Sequence, residues 1–268
     1  MDILLPFSPH SGILNAPLAS GGRIIRHQQK KRSEVMDIWK ELRDEGIDPS
    51  LLEEIQHFRA AHPVPPEAEA RIPVPQCLYY GKEVWESAAA ALLCGQHLLL
   101  AGPKATGKNV LAENLAAVFG RPVWDVSMYV NVDAAALIGA DTLQKGEVVF
   151  REGPICRCAR LGGFGVLDEV NMAKNEALAV LHATLDHRRV IDVPGYERIT
   201  LDDATRFIGT MNYGYAGTRE LNEALVSRFA VLDMPVISDT DLQKLLRRTF
   251  PALSAKWAEQ FALLFRDL

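Results

Sequence analysis

The chain has 268 residues, 48% of them hydrophobic, and a formal net charge of −5. This length and apolar content suffice for one large domain or two small ones with a buried core. The acidic balance argues against general binding to nucleic acid or to an anionic membrane. The longest apolar run, residues 88–101, is broken by Gly95, Gln96 and His97 and is too short to span a bilayer. The four cysteines lack the spacing of a zinc or disulfide framework, so a cytoplasmic enzyme or binding protein is expected.

Residues 1–75 are predicted to form an arm and a helical extension. The arm, up to about Gly22, is apolar but punctuated by Pro, Gly and Ser. A basic run at residues 30–32 is followed by acidic residues, a mixture typical of a solvated helical face. Apolar spacing predicts one helix near residue 38 and a second over Pro49–Ala61. The proline-rich stretch that follows predicts a stiff linker and a domain boundary near residue 75.

The segment 97–119 is predicted to form a strand, a loop and a helix. A short apolar run ends at a glycine turn, and apolar residues recur at helical spacing after the loop. The loop matches the phosphate-binding pattern G-x-x-x-x-G-K-[ST] except at its last position, where Asn replaces Ser or Thr. A glycine-rich turn with a solvated lysine is the alternative. The residues expected to bind a nucleotide are Gly102, Pro103, Lys104, Ala105, Thr106, Gly107, Lys108, Asn109 and Val110.

This pattern has a basis in the chemistry of phosphate. Gly102 and Gly107 can adopt backbone angles that let successive N–H groups converge on phosphate oxygens. Lys108 opens a helix whose first N–H groups and positive dipole end also attract an anion. The amide oxygen of Asn109 is a hard ligand that Mg²⁺ accepts, but its reach differs from that of a hydroxyl. Mg²⁺ binding is therefore the property that this substitution affects first.

Residues 163–169 predict a buried strand that ends in two carboxylates, Asp168 and Glu169. Because open α/β sheets bind ligands at the carboxyl ends of their strands, both side chains are candidate site residues. In a nucleotide site Asp168 would hold Mg²⁺. Glu169 would activate the attacking water, a role worth roughly 10²–10⁴ in rate. The alternative is an acidic pair that caps the helix predicted over residues 171–185.

Two hairpins and several further elements complete the predicted fold. Alternating patterns around Lys145-Gly146 and Pro194-Gly195 predict hairpins over residues 141–150 and 189–201. The other predicted elements are helices over residues 81–93, 131–138, 154–161 and 220–229, strands over residues 123–126, 206–212 and 230–235, and helical stretches within residues 239–268.

These motifs, in this order and spacing, resemble the AAA+ ATPases. Within them, the MoxR-like and dynein-related group, which includes the CbbQ, NorQ and GvpN activators, is the most similar. The resemblance covers residues 76–237 and implies an α/β P-loop NTPase core, a three-layer sandwich with a parallel central sheet and two β-hairpin insertions. Residues 1–75 then form a helical N-terminal extension, and residues 238–268 a partial helical lid.

The resemblance also implies roles for single residues. Asp168 supports Mg²⁺, and Glu169 activates water. Asn212 is the first sensor of the γ-phosphate, and Arg228 is the arginine finger that reaches the nucleotide of a neighbouring subunit. A finger supplied by a neighbour is worth 10³–10⁵ in rate in related hydrolases, so hydrolysis is expected to depend on ring assembly. Arg219 is the rival candidate for this intersubunit contact.

The function implied is that of a Mg²⁺-dependent ATPase that assembles as a ring, expected to be a hexamer, and remodels a partner protein. A partner with a von Willebrand A domain is implied by analogy only. Ala105 and Asn109 depart from the usual Gly-Pro-Pro-Gly-x-Gly-Lys-Thr of the group. Two other functions stay open. One is a nucleotide-gated binding module with little hydrolysis. The other is a motor linked to nucleic acid, which the acidic balance and the lack of a basic, aromatic strip disfavour.

Overall fold

The computed structural model describes residues 36–193, 195–213 and 221–266 of the chain. Its helices are α1 (Ile38–Asp44), α2 (Pro49–Ala61), α3 (Pro66–Glu69), α4 (Lys82–Leu93), α5 (Lys108–Val118), α6 (Ala134–Ile138), α7 (Pro154–Arg160), α8 (Asn175–Leu178), α9 (His182–Leu185), α10 (Glu223–Val226), α11 (Asp239–Thr249) and α12 (Ala255–Arg266). Its strands are β1 (His97–Gly102), β2 (Val123–Ser127), β3 (Gly139–Gln144), β4 (Glu147–Glu152), β5 (Phe164–Asp168), β6 (Val190–Ile191), β7 (Ile199–Thr200), β8 (Arg206–Asn212) and β9 (Phe229–Asp233).

Five parallel strands form the central sheet, in the order β2-β5-β8-β1-β9. β1 lies between β8 and β9, so that Leu98 has Ile208 on one side and Ala230 on the other. Every residue of β1 is buried, as expected of a strand covered on both faces. Two antiparallel pairs, β3 with β4 and β6 with β7, form separate small sheets. The predicted α/β fold with a parallel central sheet and two hairpins is confirmed.

The carboxyl ends of three strands meet at one edge of the sheet. Gly102, the last residue of β1, pairs with Asn212, the last residue of β8. β5 runs beside β8, with Leu167 opposite Gly209, and ends at Asp168. The glycine turn after β1 and the acidic pair at the end of β5 therefore lie at the edge where open α/β sheets bind ligands.

Apolar side chains cover both faces of the sheet. Leu98 and Leu100 belong to one core and Leu99 to the other, which is the alternation expected of a strand. Helices α1, α2, α4 and α5 contribute to the first core, and α6 to α9 contribute to the second. Helices α1 and α2, which precede residue 75, thus share a core with α5. The predicted domain boundary near that residue stays a prediction.

A buried asparagine attaches the segment before α4 to α5. Asn114 is 0% exposed, and its Oδ1 accepts a hydrogen bond from the N–H of Tyr79 at 2.8 Å. Its Nδ2 donates to the carbonyl of Cys77 at 2.9 Å. These bonds hold the Tyr79 ring against the loop before α5, where a Cβ on Gly107 would lie 3.0 Å from the ring. Because Gly107 also has a φ of 82°, both space and backbone conformation require glycine there.

His97, the first residue of β1, is a buried imidazole. It is 3% exposed, and its Nδ1 accepts a hydrogen bond from the N–H of Phe207 at 3.0 Å. Burial, reinforced by the charges of Arg189 and Arg206, lowers the pKa of His97 from 6.5 to about 3. The ring is therefore neutral at physiological pH, as its role as an acceptor requires.

The prediction of one continuous helix over residues 171–185 is wrong. In its place stand a 3-10 turn (Val170–Met172), α8, a second 3-10 turn (Ala179–Leu181) and α9. Glu169 has left-handed backbone angles (φ 55°, ψ 50°), and Ala173 is extended (ψ 156°). A helical hydrogen-bond ladder cannot continue through an extended residue. The buried Leu178 and Leu181 nevertheless keep helical spacing, which explains the prediction.

The hairpins match their predicted positions. Lys145 and Gly146 have positive φ angles of 51° and 87°, the combination typical of a type I′ turn between β3 and β4. The second hairpin has strands of only two residues, and Pro194, at its predicted turn, lies outside the described residues.

One tyrosine joins the two hairpins. The ring of Tyr196, between β6 and β7, stacks on the ring of Phe150 in β4 with 5.0 Å between centroids. Its hydroxyl donates to the carboxylate of Asp141 in β3 at 2.7 Å. The second hairpin therefore contacts both strands of the first.

Two predicted helices are shorter than expected. The helix predicted over residues 131–138 begins at Ala134, because the carboxylate of Asp133 caps it there. The helix predicted over residues 220–229 corresponds to α10. Residues 214–220, which include the rival intersubunit arginine of the sequence analysis, lie outside the described part of the chain.

Helices α11 and α12 occupy the segment predicted to be a partial lid. Lys244 of α11 pairs with Glu45, which follows α1, at 2.8 Å, and Arg248 pairs with Glu41 of α1. No residue of α11 is fully buried, but Leu245 packs partly buried against the first core. Within residues 36–193, 195–213 and 221–266, no helix is both long and apolar enough to cross a membrane.

Candidate functional site

The loop between β1 and α5 contains two residues with left-handed backbone angles. Gly107 has a φ of 82° and Ala105 a φ of 62°. This conformation costs an L-residue roughly 1–2 kcal/mol relative to glycine. Ala105 stands where the related pattern has glycine, and its backbone angle gives the physical reason for that preference. α5 begins immediately afterwards at Lys108, so the unpaired N–H groups of its first turn adjoin the loop.

The ammonium of Lys108 lies inside this loop. Its Nζ donates to the carbonyls of Gly102 at 3.1 Å and Pro103 at 2.6 Å, and to Oγ1 of Thr106 at 3.1 Å. The residue is 7% exposed. Burial lowers the pKa of Lys108, while the neighbouring carboxylates of Asp168 and Glu169 act in the opposite direction. The loop is thus folded around a buried cation near two acids.

Asp168 connects the loop helix with β8. Its Oδ1 accepts hydrogen bonds from Oγ1 of Thr210 at 2.7 Å and from Nδ2 of Asn109 at 3.1 Å. Asn109, the residue that departs from the phosphate-loop pattern, therefore contacts the predicted metal-binding carboxylate directly. Because the amide nitrogen of Asn109 donates to Asp168, its amide oxygen stays available as a hard metal ligand near that carboxylate.

Glu169 and Asn212 are hydrogen-bonded to each other. Nδ2 of Asn212 donates to Oε1 of Glu169 at 2.9 Å. The backbone N–H of Glu169 donates to Oγ1 of Thr210 at 3.0 Å, which holds its left-handed conformation in place. Asn171 in turn donates through Nδ2 to the carbonyl of Asn212 at 2.8 Å. The position of the Glu169 carboxylate is therefore set by β8.

These side chains surround one cleft of about 440 Å³ at the carboxyl edge of the sheet. The residues that line it are Lys104, Ala105, Thr106, Gly107, Lys108, Asn109, Val110, Asp168, Glu169, Thr210 and Asn212. Within the described residues, no group of three or more His, Cys, Asp and Glu side chains could hold a metal. A metal here would therefore need ligands from a bound molecule besides Asp168 and Asn109. Mg²⁺ typically binds in this way, through one or two protein oxygens together with the phosphates of a substrate.

The structure brings together most of the predicted site residues and adds two. Thr210 is buried and bonds both acids, and Asn171 fixes the last residue of β8. The signal for Thr210 was its place two residues before Asn212, on the same face of a strand. Asn171 had no comparable signal. The alternative reading of the acidic pair as a helix cap is not supported, because Glu169 makes no side-chain cap bond to the turn that follows.

Arg228 lies away from this cleft, at the opposite end of the sheet. The next residue, Phe229, pairs with His97 at the start of β1, whereas the phosphate loop follows the end of β1. Nε of Arg228 donates to the carbonyl of His182 at 3.1 Å, and a terminal nitrogen lies 3.8 Å from Asp186. Hydrogen bonds from the Arg188 side chain lower the pKa of Asp186 to about 2, so this carboxylate is ionised and favours a fixed Arg228.

Comparison with known proteins agrees with the architecture. The family model described as AAA domain (dynein-related subfamily) matches residues 97–229, from the start of β1 to the start of β9. The uncharacterized protein YojN of Bacillus subtilis is 34% identical over 227 residues, which cover 82% of this chain and 75% of YojN. An uncharacterized protein of Staphylococcus epidermidis is 38% identical over 168 residues, which cover 60% of this chain and 63% of that protein.

A solved structure gives the same result for the fold. A candidate ATPase from Cytophaga hutchinsonii matches with a TM-score of 0.54 and 17% identity, covering 84% of this chain and 66% of that chain. At this identity the likeness concerns the fold alone. The family rests on the domain match and on the extensive similarity to YojN. The chain belongs to the AAA domain family, in its dynein-related subfamily.

Proposed function

We propose that this protein binds ATP in the cleft at the carboxyl edge of the sheet and hydrolyses it with the aid of Mg²⁺. The observation that carries the proposal is the hydrogen-bonded set that links Asp168 and Glu169 to β8 beside the buried Lys108. A buried cation, two placed carboxylates and a helix N-terminus at one edge are what phosphoryl transfer from a nucleotide requires.

The phosphate loop fits a polyphosphate. Backbone N–H groups between Gly102 and Lys108 and the first turn of α5 supply donors that need no side chain. The Lys108 ammonium now donates to oxygens of its own loop, and it can exchange these bonds for phosphate oxygens without leaving the site. Burial makes this exchange favourable, since a buried charge gains from a charged partner.

The donor set beside the loop fits Mg²⁺. A carboxylate from Asp168 and an amide oxygen from Asn109 are hard ligands, and the hydrogen bond between the two residues keeps them adjacent. When bound, the ion neutralises charge that develops on the phosphate oxygens. The Asn109 amide is one atom longer than the Ser or Thr hydroxyl it replaces. We therefore propose slower turnover than that of an enzyme with the hydroxyl.

Glu169 is the proposed general base. Its carboxylate takes the proton of the attacking water, and Asn212 holds that carboxylate at 2.9 Å. Because the same Asn212 ends β8, a change at the nucleotide that draws its amide away also releases Glu169. Asn212 then acts as the sensor that couples the nucleotide to the base.

We further propose that the protein works as a ring, with six subunits, that remodels or activates a partner protein. Arg228 supports the ring, because it is fixed at the end of the sheet opposite the phosphate loop and cannot serve the cleft of its own subunit. The two hairpins, joined by Tyr196, are the proposed moving parts. A partner with a von Willebrand A domain remains a proposal from family analogy, as does a cytoplasmic location.

The test is steady-state ATP hydrolysis as a function of protein concentration, with Mg²⁺ and with the variants Glu169→Gln and Arg228→Ala. We expect specific activity to rise with concentration. The Glu169 variant should lose roughly 10²–10⁴ in turnover and keep nucleotide binding. The Arg228 variant should lose activity, while the matched control Arg43→Ala, exposed on α1, should not. Specific activity that does not change with protein concentration and is the same in the Arg228→Ala variant would refute the intersubunit role of Arg228.

A nucleotide-gated binding module is the second candidate function. Asn109 favours it, because the position that normally supplies a metal-binding hydroxyl carries an amide. The variant Asn109→Thr separates the two candidates. A large gain in turnover, with binding unchanged, would mean that the native site is tuned for slow hydrolysis. Equal turnover in both proteins would mean that Asn109 serves the metal as well as threonine does.

A further inference from the structure

We propose that a cleft beside the first hairpin binds acidic segments of a partner protein. The cleft has a volume of about 480 Å³ and lies between β2, the base of the hairpin β3–β4 and α7. Arg71, Arg151 and Arg157 line it, the first from the segment before α4 and the other two from the consecutive elements β4 and α7. We call it the arginine cleft. It is distinct from the proposed ATP site, with which it shares no lining residue, and the inference does not depend on hydrolysis.

Arg71 is fixed in the wall of the cleft. Its guanidinium carbon lies 4.8 Å from the centre of the Trp124 ring, within the range of a cation–π contact. One terminal nitrogen donates to the carbonyl of Val123 at 3.0 Å. Because these contacts restrict the side chain and use few of its five N–H groups, Arg71 is prepared to bind a further acceptor with little loss of entropy.

The other two arginines have free guanidinium groups. Neither the guanidinium of Arg151, in β4, nor that of Arg157, in α7, makes a hydrogen bond or an ion pair with the residues that the structure describes. Arg151 alternates along its strand with Phe150, whose ring stacks on Tyr196. The two faces of the hairpin thus have different surroundings, one aromatic and one cationic.

The acids in the cleft do not cancel these charges. Glu152 already pairs with Arg160, which is not one of the residues that line the cleft. Burial and Asp168 raise the pKa of Asp125, while Arg71 acts in the opposite direction. Even when Asp125 is ionised, the three arginines outnumber this one acid. The cleft therefore offers donors and positive charge in excess of acceptors.

A carboxylate matches this arrangement. The planar guanidinium of arginine binds carboxylate through two parallel hydrogen bonds, and several arginines in one concave site select for closely spaced acids. A single arginine can also bind a phosphate through two parallel hydrogen bonds. The net charge of −5 disfavours approach of a nucleic acid, which carries its phosphates on a long anionic backbone. A short run of Asp or Glu in a partner protein is the ligand that the observations favour.

The test uses the full chain without nucleotide and a fluorescein-labelled hexaglutamate peptide, followed by anisotropy at about 50 mM salt, where screening is moderate. We expect saturable binding that weakens as salt is added. The charge reversal Arg151→Glu with Arg157→Glu should weaken it at least about tenfold. The milder pair Arg151→Ala with Arg157→Ala should weaken it less, and it covers the case in which the reversal disturbs folding.

A matched control carries the same change of charge elsewhere. Arg43→Glu with Lys256→Glu, both exposed on other helices, should leave the affinity within about twofold. If both charge-reversed double variants lose the same affinity for the peptide, the effect comes from net charge alone and the proposal is overturned. Absence of peptide binding to the native protein would also overturn it. Displacement by inorganic phosphate as effective as that by unlabelled hexaglutamate would overturn the assignment to carboxylates. If the native protein does not bind the peptide and the Arg151 and Arg157 variants lose self-association, the cleft binds a second copy of this chain and not a partner protein.

Discussion

Replacement of His97 by asparagine should remove a large part of the acid sensitivity of this fold. The native imidazole accepts a hydrogen bond from Phe207 in the core and is neutral there. In the unfolded chain His97 takes up a proton below about pH 6.5, whereas in the folded chain it does so only near pH 3. The unfolded state therefore binds more protons between these values, and the free energy of unfolding falls as the pH falls.

The magnitude follows from the two pKa values. Between pH 7 and pH 5, the difference in proton binding lowers the free energy of unfolding by about 2 kcal/mol. The oxygen of an asparagine side chain can occupy the place of Nδ1 and keep the bond to Phe207, but it cannot be protonated. The variant will lose ring contacts with Phe207 and Phe229 at every pH, which lowers stability by an amount that does not depend on pH.

Urea unfolding at pH 7, 6 and 5 measures the effect for both proteins. The native protein should lose about 2 kcal/mol more than the His97→Asn variant over this interval. Glu113 and Asp125, whose pKa values burial raises, change stability in the opposite direction but do so in both proteins. Equal losses in the native and variant proteins would refute the buried neutral histidine.

Three further changes test other contacts. Asn114→Ala leaves the buried N–H of Tyr79 and the half-buried carbonyl of Cys77 without their partner and should lower the free energy of unfolding by roughly 2–5 kcal/mol in urea titrations; a loss below about 1 kcal/mol would contradict the two bonds. Tyr196→Phe keeps the ring but removes the bond to Asp141, so amide exchange in residues 139–152 should rise about fivefold, and an unchanged rate would mean that the hydroxyl does not hold the hairpins together. Lys244→Ala breaks an exposed pair with Glu45 and should cost only about 0.5 kcal/mol, less at high salt; a loss that salt does not reduce would point to packing instead.

Local patterns predicted the elements that hold the phosphate loop and the acidic pair. The glycine turn after an apolar run fixed the end of β1, and the alternation around Lys145 fixed the first hairpin. These features depend on neighbours in the sequence, so periodicity and turn chemistry suffice to find them. The continuous helix predicted over residues 171–185 was wrong because the backbone is extended at Ala173, a local conformation that apolar spacing does not reveal.

Contacts between distant residues were out of reach of the sequence alone. Thr210 bonds both acids only because β8 lies beside β5 in one particular register. The arginine cleft gathers residue 71 with residues 151 and 157 only after the sheet has formed. Tertiary register and side-chain direction decide these contacts, and neither is encoded in local spacing.

The way the phosphate loop holds its own lysine has a consequence for selectivity. A ligand must compete with three oxygens that already accept from Lys108, two of them carbonyls of the loop itself. A lone phosphate can accept from only some of the donors in the loop, whereas a chain of phosphates can accept from more of the backbone N–H groups at the same time. If the cleft binds ATP as proposed, we therefore expect inorganic phosphate and nucleoside monophosphates to bind there more weakly than a nucleoside triphosphate does.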